Sequence, residues 1–389
     1  MSATARNQMA YTAFTVFWSL RFTDGLWILY LLHCHWSLFE VGVAESVFHI
    51  VSLISEIPAG VFADRVGRRE SLWAGLAIGA LTTLLTFWLA PRSVGLGTLA
   101  MGLGALGWTF VGGADQALLY AITAEIPDVS ARFAALYGKV AALSLVVTAV
   151  AVAAGGQTVR YGTWETPYAL TVGAKILAMT ALLFISLPSA PPVPARKTGG
   201  LPATLAQSWG VVRHTPRLWQ LVAFGAILST IATTNNLLAQ STLFSKGANP
   251  ALVTLVIGLA HGVGALGSLI GGRLASRRRR RTQLLISGTG VFAVFLSAIG
   301  ILPLYGAIGS LLGGATADGY LEPVYQAALN EITPEYLRAT VLSYPGAGFS
   351  IGMIVVFPVA GWVMVHGHLA LAYQFGSAIL VLLMFWLRG

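Results

Sequence analysis

The sequence predicts an all-α integral membrane protein of about twelve membrane-spanning helices, built as two six-helix halves related by an internal repeat. Three observations carry this prediction. The 389 residues are 56% hydrophobic and only 10% charged, with a mean hydropathy of +0.76. A soluble domain of this length needs far more charge to keep its surface wet. Apolar runs of about 20 residues recur along the whole chain, each long enough to cross a bilayer as a helix. Short pieces of the first half then return in the second at a nearly constant shift.

By apolar length and breaker residues the runs fall near 10–33, 38–62, 71–90, 95–122, 133–158, 166–187, 217–244, 250–272, 283–302, 305–329, 340–364 and 368–387. The first is too long for a signal-peptide core and no small-residue cleavage site follows it, so it reads as a retained helix. After the sixth run, Pro188 to Pro194 and then Arg196-Lys197-Thr-Gly-Gly cannot span. Residues 204–213 read as a short interfacial helix, with Leu205 and Trp209 on one face. The chain therefore divides into a first half (1–188), a linker (189–216) and a second half (217–389).

The net charge is +9 and the isoelectric point about 9.9. The cations sit in short loops, which excludes a nucleic-acid surface and orients the chain instead. With the N-terminus inside, the inner loops hold Arg65, Arg68, Arg69, Arg132, Arg196, Lys197, Arg213, Arg217, the run Arg277 to Arg281, and Arg338. The outer loops hold little beyond Arg92, Arg160 and Lys246. Both termini are expected in the cytoplasm. Cys34 is the single cysteine, so there is no disulfide framework.

The repeat has two echoes. Glu125-Ile126 and Arg132 return as Glu331-Ile332 and Arg338, shifted by 206 residues (331−125 and 338−132). Gly60-Val-Phe-Ala-Asp64-Arg65 returns as Gly272-Arg-Leu-Ala-Ser276-Arg277, shifted by 212 (272−60 and 277−65). The second copy has lost the acid and gained five arginines.

The loop Gly60, Asp64, Arg65, Gly67, Arg68, Arg69, followed by Leu72, resembles the signature loop of the major facilitator superfamily position by position. With the linker and the degenerate second copy, the resemblance covers essentially the full chain. It implies that Asp64 and Arg65 are conformational-switch residues, with Arg65 and Arg68 bridging to Glu125 in one state of the transport cycle. Retained positive charge inside is the simpler reading of the same residues. A latch in the second half is expected to be weaker or different, drawing on Glu331. Drug/proton exporters carry an arginine in the fourth helix where this chain has Trp108, and a Gly-Pro pair in the fifth that is missing before Gly155-Gly156.

Ionisable groups at bilayer depth are candidate functional residues. Arg21 and Asp24 lie three apart on the first run; they either neutralise each other or line a cavity. Glu45, His49 and Glu56 form one stripe on the second run. His261 is the repeat counterpart of His49, and hydrogen-bonded helix packing is the alternative for both. In the superfamily the first, fourth, seventh and tenth helices line the cavity. The resemblance thus makes Asp24, Asp115, Asp318 and Glu322 the cavity carboxylates, the groups that carry a coupling proton. It places Asn235, Asn236 and Gln240 in the same cavity, with the aromatics Trp27, Tyr30, Trp108, Tyr320 and Tyr325. Trp36 and Trp164 are expected in interfacial belts. Lys175, alone on the sixth run, pairs with an acid or snorkels. His33, His35, His366 and His368 with Cys34 include metal-ligating types, but nothing brings the two clusters together, and no metal or cofactor is expected.

No DDxxD, HExxH or GxSxG motif supports an enzyme, and no loop is long enough for the output domain of a sensor. The reading is a secondary transporter working by alternating access. Proton-coupled efflux of a small amphipathic or cationic organic compound is favoured by the aromatic-rich cavity helices and by similarity to bacterial exporter-type members. The alternative is a uniporter, symporter or importer of a sugar, organic anion or other metabolite. The expected setting is the cell (inner or plasma) membrane, with protons, lipid and a small-molecule substrate as partners of a monomer.

Overall fold

The computed structural model describes residues 3–123, 129–186, 201–275, 280–334 and 338–388. Among these the chain is all helix: α1 (Ala3–Ser19), α2 (Trp27–His33), α3 (Leu38–Arg65), α4 (Arg68–Leu89), α5 (Val94–Thr123), α6 (Val129–Tyr161), α7 (Glu165–Leu183), α8 (Leu201–His214), α9 (Pro216–Ser245), α10 (Pro250–Ala275), α11 (Arg281–Ile301), α12 (Leu304–Ile332), α13 (Arg338–Val365) and α14 (Leu369–Trp386). Ten of them are long and apolar enough to cross a membrane. The two expected spans outside that set are the first, which is broken, and α12, whose apolar run is diluted by Asp318 and Glu322. Helix α8 occupies the place of the expected interfacial helix.

The first run departs from expectation. The sequence predicts one helix over 10–33, and the structure interrupts it between Ser19 and Trp27. Turn bonds replace the helical ladder there: the Asp24 amide donates to Arg21 O at 3.3 Å, and the Leu26 and Trp27 amides both donate to Thr23 O at 2.9 Å. Arg21, Asp24 and Gly25 are a charged pair and a flexible residue at one spot. Hydropathy averaged over a span does not register so short an interruption.

By compactness the chain forms two units, residues 1–194 with 250–258, and residues 195–249 with 259–389. In the first, α1, α4, α5 and α7 meet over a buried core that includes Phe14, Leu72, Leu76, Leu118, Leu119 and Leu182. Close approach substitutes for a hydrophobic drive that lipid cannot supply. A Cβ on Gly75 would lie 2.7 Å from Gly107 O, and one on Gly107 would lie 2.8 Å from Gly75 O, so α4 and α5 touch through two glycines. Helix α3 starts with a capping box: Ser37 Oγ accepts from the Glu40 amide at 3.2 Å, and Glu40 Oε2 accepts from the Ser37 amide at 2.7 Å. Trp36 is buried, and its Nε1 donates to Ala90 O at 2.9 Å at the end of α4.

In the second unit α9 is central. In its span 61% of residues are buried, against 17% in α13 and in α14. Helix α9 packs on α12, α13, α14 and α8, while α11 joins α12 to α14. Trp209 of α8 sits edge-on to Trp219 of α9 at 5.8 Å and to Tyr344 of α13 at 5.7 Å, and Ser208 shares a hydrogen bond with Tyr344 Oη at 2.8 Å.

Candidate functional site

In the first unit the polar groups converge on the break between α1 and α2. Arg21 Nε and Asp24 Oδ2 lie 3.2 Å apart, with 29% and 40% of the side chains exposed. Pairing lowers the cost of charge at bilayer depth, and partial exposure leaves both groups open to a solute. The Arg21 guanidinium lies over the Trp108 ring at 5.9 Å, and Trp18 faces Trp108 at 6.2 Å. Trp108 is 47% exposed. Trp108 of α5 therefore stands beside an arginine of the break.

The break is held from α6. Ser19 Oγ and Ser144 Oγ share a hydrogen bond at 2.7 Å, and Thr148 Oγ1 donates to Ser19 O at 3.2 Å. Gly155 lies against the Phe22 carbonyl so closely that a Cβ has no room. Lys175 of α7 donates to Gly79 O at 2.8 Å and to Thr83 Oγ1 at 2.7 Å, and its charged neighbours are Asp24 and Arg21. The sequence expects Lys175 to pair with an acid or to snorkel; it is held by acceptors on α4, with Asp24 among its charged neighbours. Its link to the break depends on how α4 and α7 pack, which no local spacing reveals.

The other predicted groups of this unit are placed separately. Asp115 accepts from Tyr11 Oη at 2.5 Å, which ties α5 to α1. Glu45 Oε1 and His49 Nε2 are 3.6 Å apart on α3, both side chains nearly buried. Glu56 is exposed. Tyr30 belongs to an aromatic cluster: it stacks on Phe87 at 5.4 Å, contacts Trp164 and Tyr168, and donates to Phe87 O at 2.6 Å. Trp27 begins α2 and is partly buried.

At the signature loop, Gly67 carries φ 136°, a turn that a side chain resists, between α3 and α4. Arg69 donates to Ile185 O at 3.0 Å and pairs with Glu70 at 2.9 Å. Asn7 exchanges two hydrogen bonds with the Ser186 backbone, at 2.8 and 3.0 Å. The loop thus caps the end of α7 beside the start of α1. Arg65 is exposed, Arg68 is partly buried and partnered, and Gly60 is partly exposed with open space for a Cβ. Glu125 and the Asp64 side chain lie outside the described residues.

In the second unit the degenerate loop ends at Arg281. Its Nη1 meets Glu331 Oε2 at 2.5 Å and Ala327 O at 3.0 Å, and its Nε donates to Ala275 O at 2.7 Å. One arginine therefore joins α10, α11 and α12. By the shift of 212, Arg281 is the counterpart of Arg69 (281−69), and by the shift of 206 Glu331 is that of Glu125 (331−125). Higher on α12, Asp318 and Glu322 stand one turn apart, and Glu322 accepts from Gln326 at 2.9 Å. Tyr320 is partly buried against α10 and α11, and Tyr325 is buried beside Phe224. On α9, Asn235 and Gln240 are buried while Asn236 is exposed; His261 on α10 is exposed. Among the described residues no group of three His, Cys, Asp or Glu is placed to hold a metal.

A chain that is all helix among the described residues, with ten helices there long and apolar enough to cross a membrane, is a multi-pass membrane protein. A sequence model of the Major Facilitator Superfamily matches residues 9–308 and again 222–389, and the chain belongs to that superfamily. Two MFS-type transporters of Bacillus subtilis (strain 168), both described as uncharacterized, are similar in sequence. YxaM is 31% identical over 100 residues, 26% of this chain and 25% of YxaM. YqjV is 29% identical over 148 residues, 38% of this chain and 36% of YqjV. These matches span about a quarter and a third of the relatives' lengths. Among solved structures, a point mutant of the nucleoside transporter NupG aligns with a TM-score of 0.79 at 13% identity, covering 100% of this chain and 99% of that one. A D-xylose-proton symporter aligns with a TM-score of 0.74 at 17% identity, covering 99% and 97%. Both likenesses concern the fold.

Proposed function

We propose that this transporter is a proton-coupled exporter of a small amphipathic or cationic organic compound, working as a monomer by alternating access in the cell membrane with both termini cytoplasmic. The observation that carries the reading is the interrupted first helix, which sets the Arg21–Asp24 pair beside the exposed Trp108 ring within apolar helices. A cationic solute would compete with Arg21 for Asp24 and take its place over Trp108. A proton on Asp24 would release Arg21 and reset the pair. Asp115, Asp318 and Glu322 are the further proton acceptors, and the loop from Gly60 to Arg69 is the switch between states.

The test is transport in everted vesicles under an imposed pH gradient. A lipophilic cation should accumulate, and a protonophore should abolish the accumulation. Accumulation that persists with the protonophore, or none at all across a panel of amphipathic cations, would sink the exporter reading. Asp24→Asn should lose proton-driven accumulation while keeping the fold.

One observation favours a second reading, proton symport of a polar metabolite into the cell. Asn235 Oδ1 on α9 is buried and has no hydrogen-bond partner among the described residues, as suits an acceptor reserved for a hydroxyl or amine of a solute. The D-xylose-proton symporter shares the fold. Under this reading, right-side-out vesicles with an inward proton gradient take up a sugar or nucleoside, and Asn235→Leu loses that uptake.

A further inference from the structure

The second unit contains a cavity of about 780 Å³ that the transport reading does not use. It opens where α9 begins, α11 begins and α14 ends, and its walls include Arg217, Trp219, Thr282, Phe385, Trp386 and Arg388. Two arginines line it, and among the described residues no carboxylate does. Arg217 is fixed in the wall. Its guanidinium donates to Gln220 Oε1 at 2.5 Å, Thr282 Oγ1 at 2.6 Å and Leu387 O at 3.3 Å. Gln220 in turn donates to Trp386 O. All these acceptors are neutral, so the cation keeps its full charge toward the cavity. Arg388 is exposed beside it, with its guanidinium 5.5 Å from the Phe385 ring.

The surroundings locate this cavity at the membrane surface. Trp219, Phe385 and Trp386 are 42%, 60% and 38% exposed. Large aromatics exposed at helix ends are the pattern of the interfacial belt. Trp219 is also the residue on which Trp209 of α8 rests at 5.8 Å, and α8 is the amphipathic helix expected to lie in the interface. A cationic cavity at headgroup depth, rimmed by apolar rings, matches an anion that carries its own hydrocarbon. Arginine suits phosphate through its planar fork of donors, and a volume of this size holds a small polar headgroup.

We propose that this cavity binds the phosphodiester headgroup of an anionic phospholipid, with Arg217 and Arg388 on the phosphate and the acyl chains along Phe385 and Trp386. The lipid would bridge α9 to α14 at the end of the unit where α8 is seated. Basic pockets between membrane helices are suited to such headgroups.

The experiment uses the purified full-length protein in mixed micelles, with phosphatidylglycerol, phosphatidylcholine and inorganic phosphate as separate probes. Native mass spectrometry counts retained lipid, and thermal unfolding reports stabilisation. Phosphatidylglycerol should be retained and should raise the unfolding midpoint above that in phosphatidylcholine. Arg388→Gln should weaken this binding about ten-fold, the worth of one charge-assisted contact. Arg217→Gln should do the same or more. Because Arg217 also ties α9 to α11 and α14, Arg388→Gln, whose side chain makes no such tie, keeps the test decisive if the Arg217 variant misfolds. Arg160→Gln, in the last turn of α6 in the first unit, should leave the lipid effect unchanged. Equal stabilisation by both lipids, or an undiminished phosphatidylglycerol effect in Arg388→Gln, would overturn the proposal. Stabilisation by inorganic phosphate matching that of phosphatidylglycerol would assign the cavity to a free phosphate instead.

Discussion

Tyr11 donates its hydroxyl to Asp115 across 2.5 Å, so a carboxylate in the middle of α5 is held by the first helix of the chain. Such a bond to a charged group in an apolar setting is worth about 1.5 to 3 kcal/mol, and losing one partner strands the other. Tyr11→Phe should therefore lower stability by about 2 kcal/mol, read as a drop in thermal midpoint in detergent. Asp115→Asn, which keeps an acceptor for the hydroxyl, should cost less. If Asp115 also carries a coupling proton, Asp115→Asn should lose proton-driven transport while remaining folded. An Asp115→Asn variant with normal proton-driven transport would confine the residue to holding α1 against α5.

The ion pair of Arg281 and Glu331 joins α11 to α12 at 2.5 Å, with the arginine 13% and the glutamate 36% exposed. A pair screened on one side contributes about 1 kcal/mol or somewhat more. A double-mutant cycle of Arg281→Gln and Glu331→Gln should return a coupling energy near that figure. Arg281→Gln alone should cost more than Glu331→Gln, because Arg281 also serves the Ala275 and Ala327 carbonyls. Equal single-mutant costs with no coupling would mean that the carbonyl contacts, not the ion pair, hold these helices.

Helix number and order are legible in the sequence, because a bilayer imposes one length and one polarity on every span. The site is legible only where its residues are neighbours in sequence or related by the repeat. Arg21 and Asp24 are three apart, and a turn brings them together as readily as a helix would. Glu331 is recoverable as an acid partner of the second loop because Ser276 leaves that loop without an acid of its own, and it pairs with Arg281. Tyr11 and Asp115 are 104 residues apart, and their bond follows from how α1 packs on α5. The partners of Lys175 are hidden in the sequence for the same reason: its acceptors Gly79 and Thr83 lie on α4. The break at 20–26 escaped because a single charged pair and one glycine barely dent the apolar average of the run.

Gly155 keeps that break in place. A methyl on Gly155 would meet the Phe22 carbonyl, a main-chain atom that cannot rotate away. Gly155→Ala should cost about 1 to 3 kcal/mol and slow transport by displacing the segment that carries Arg21 and Asp24. Gly173→Ala on α7 is the control, since nothing lies within 4 Å of its Cβ position. There alanine should gain about 0.5 to 1 kcal/mol from its better helix propensity. Equal effects at the two positions would show that the contact with Phe22 does not constrain the break.

Cys34 follows α2 and is the single cysteine of the chain, so thiol labelling reports on one place. Burial pushes its thiol pKa above the ordinary value, and the hydrogen bond with Tyr30 offsets part of that rise. The thiolate is the reactive form. A raised pKa means that less of it is present at neutral pH than in an unperturbed thiol. Maleimide labelling should therefore be slower than that of a free cysteine at pH 7. It should rise about ten-fold per pH unit over the alkaline range, continuing past the point where a free thiol levels off. An impermeant maleimide added to intact cells should reach Cys34, because the orientation read from the loop cations puts the end of α2 outside. Labelling confined to everted vesicles would reverse that orientation, and a free-thiol pH profile would show that burial does not govern Cys34.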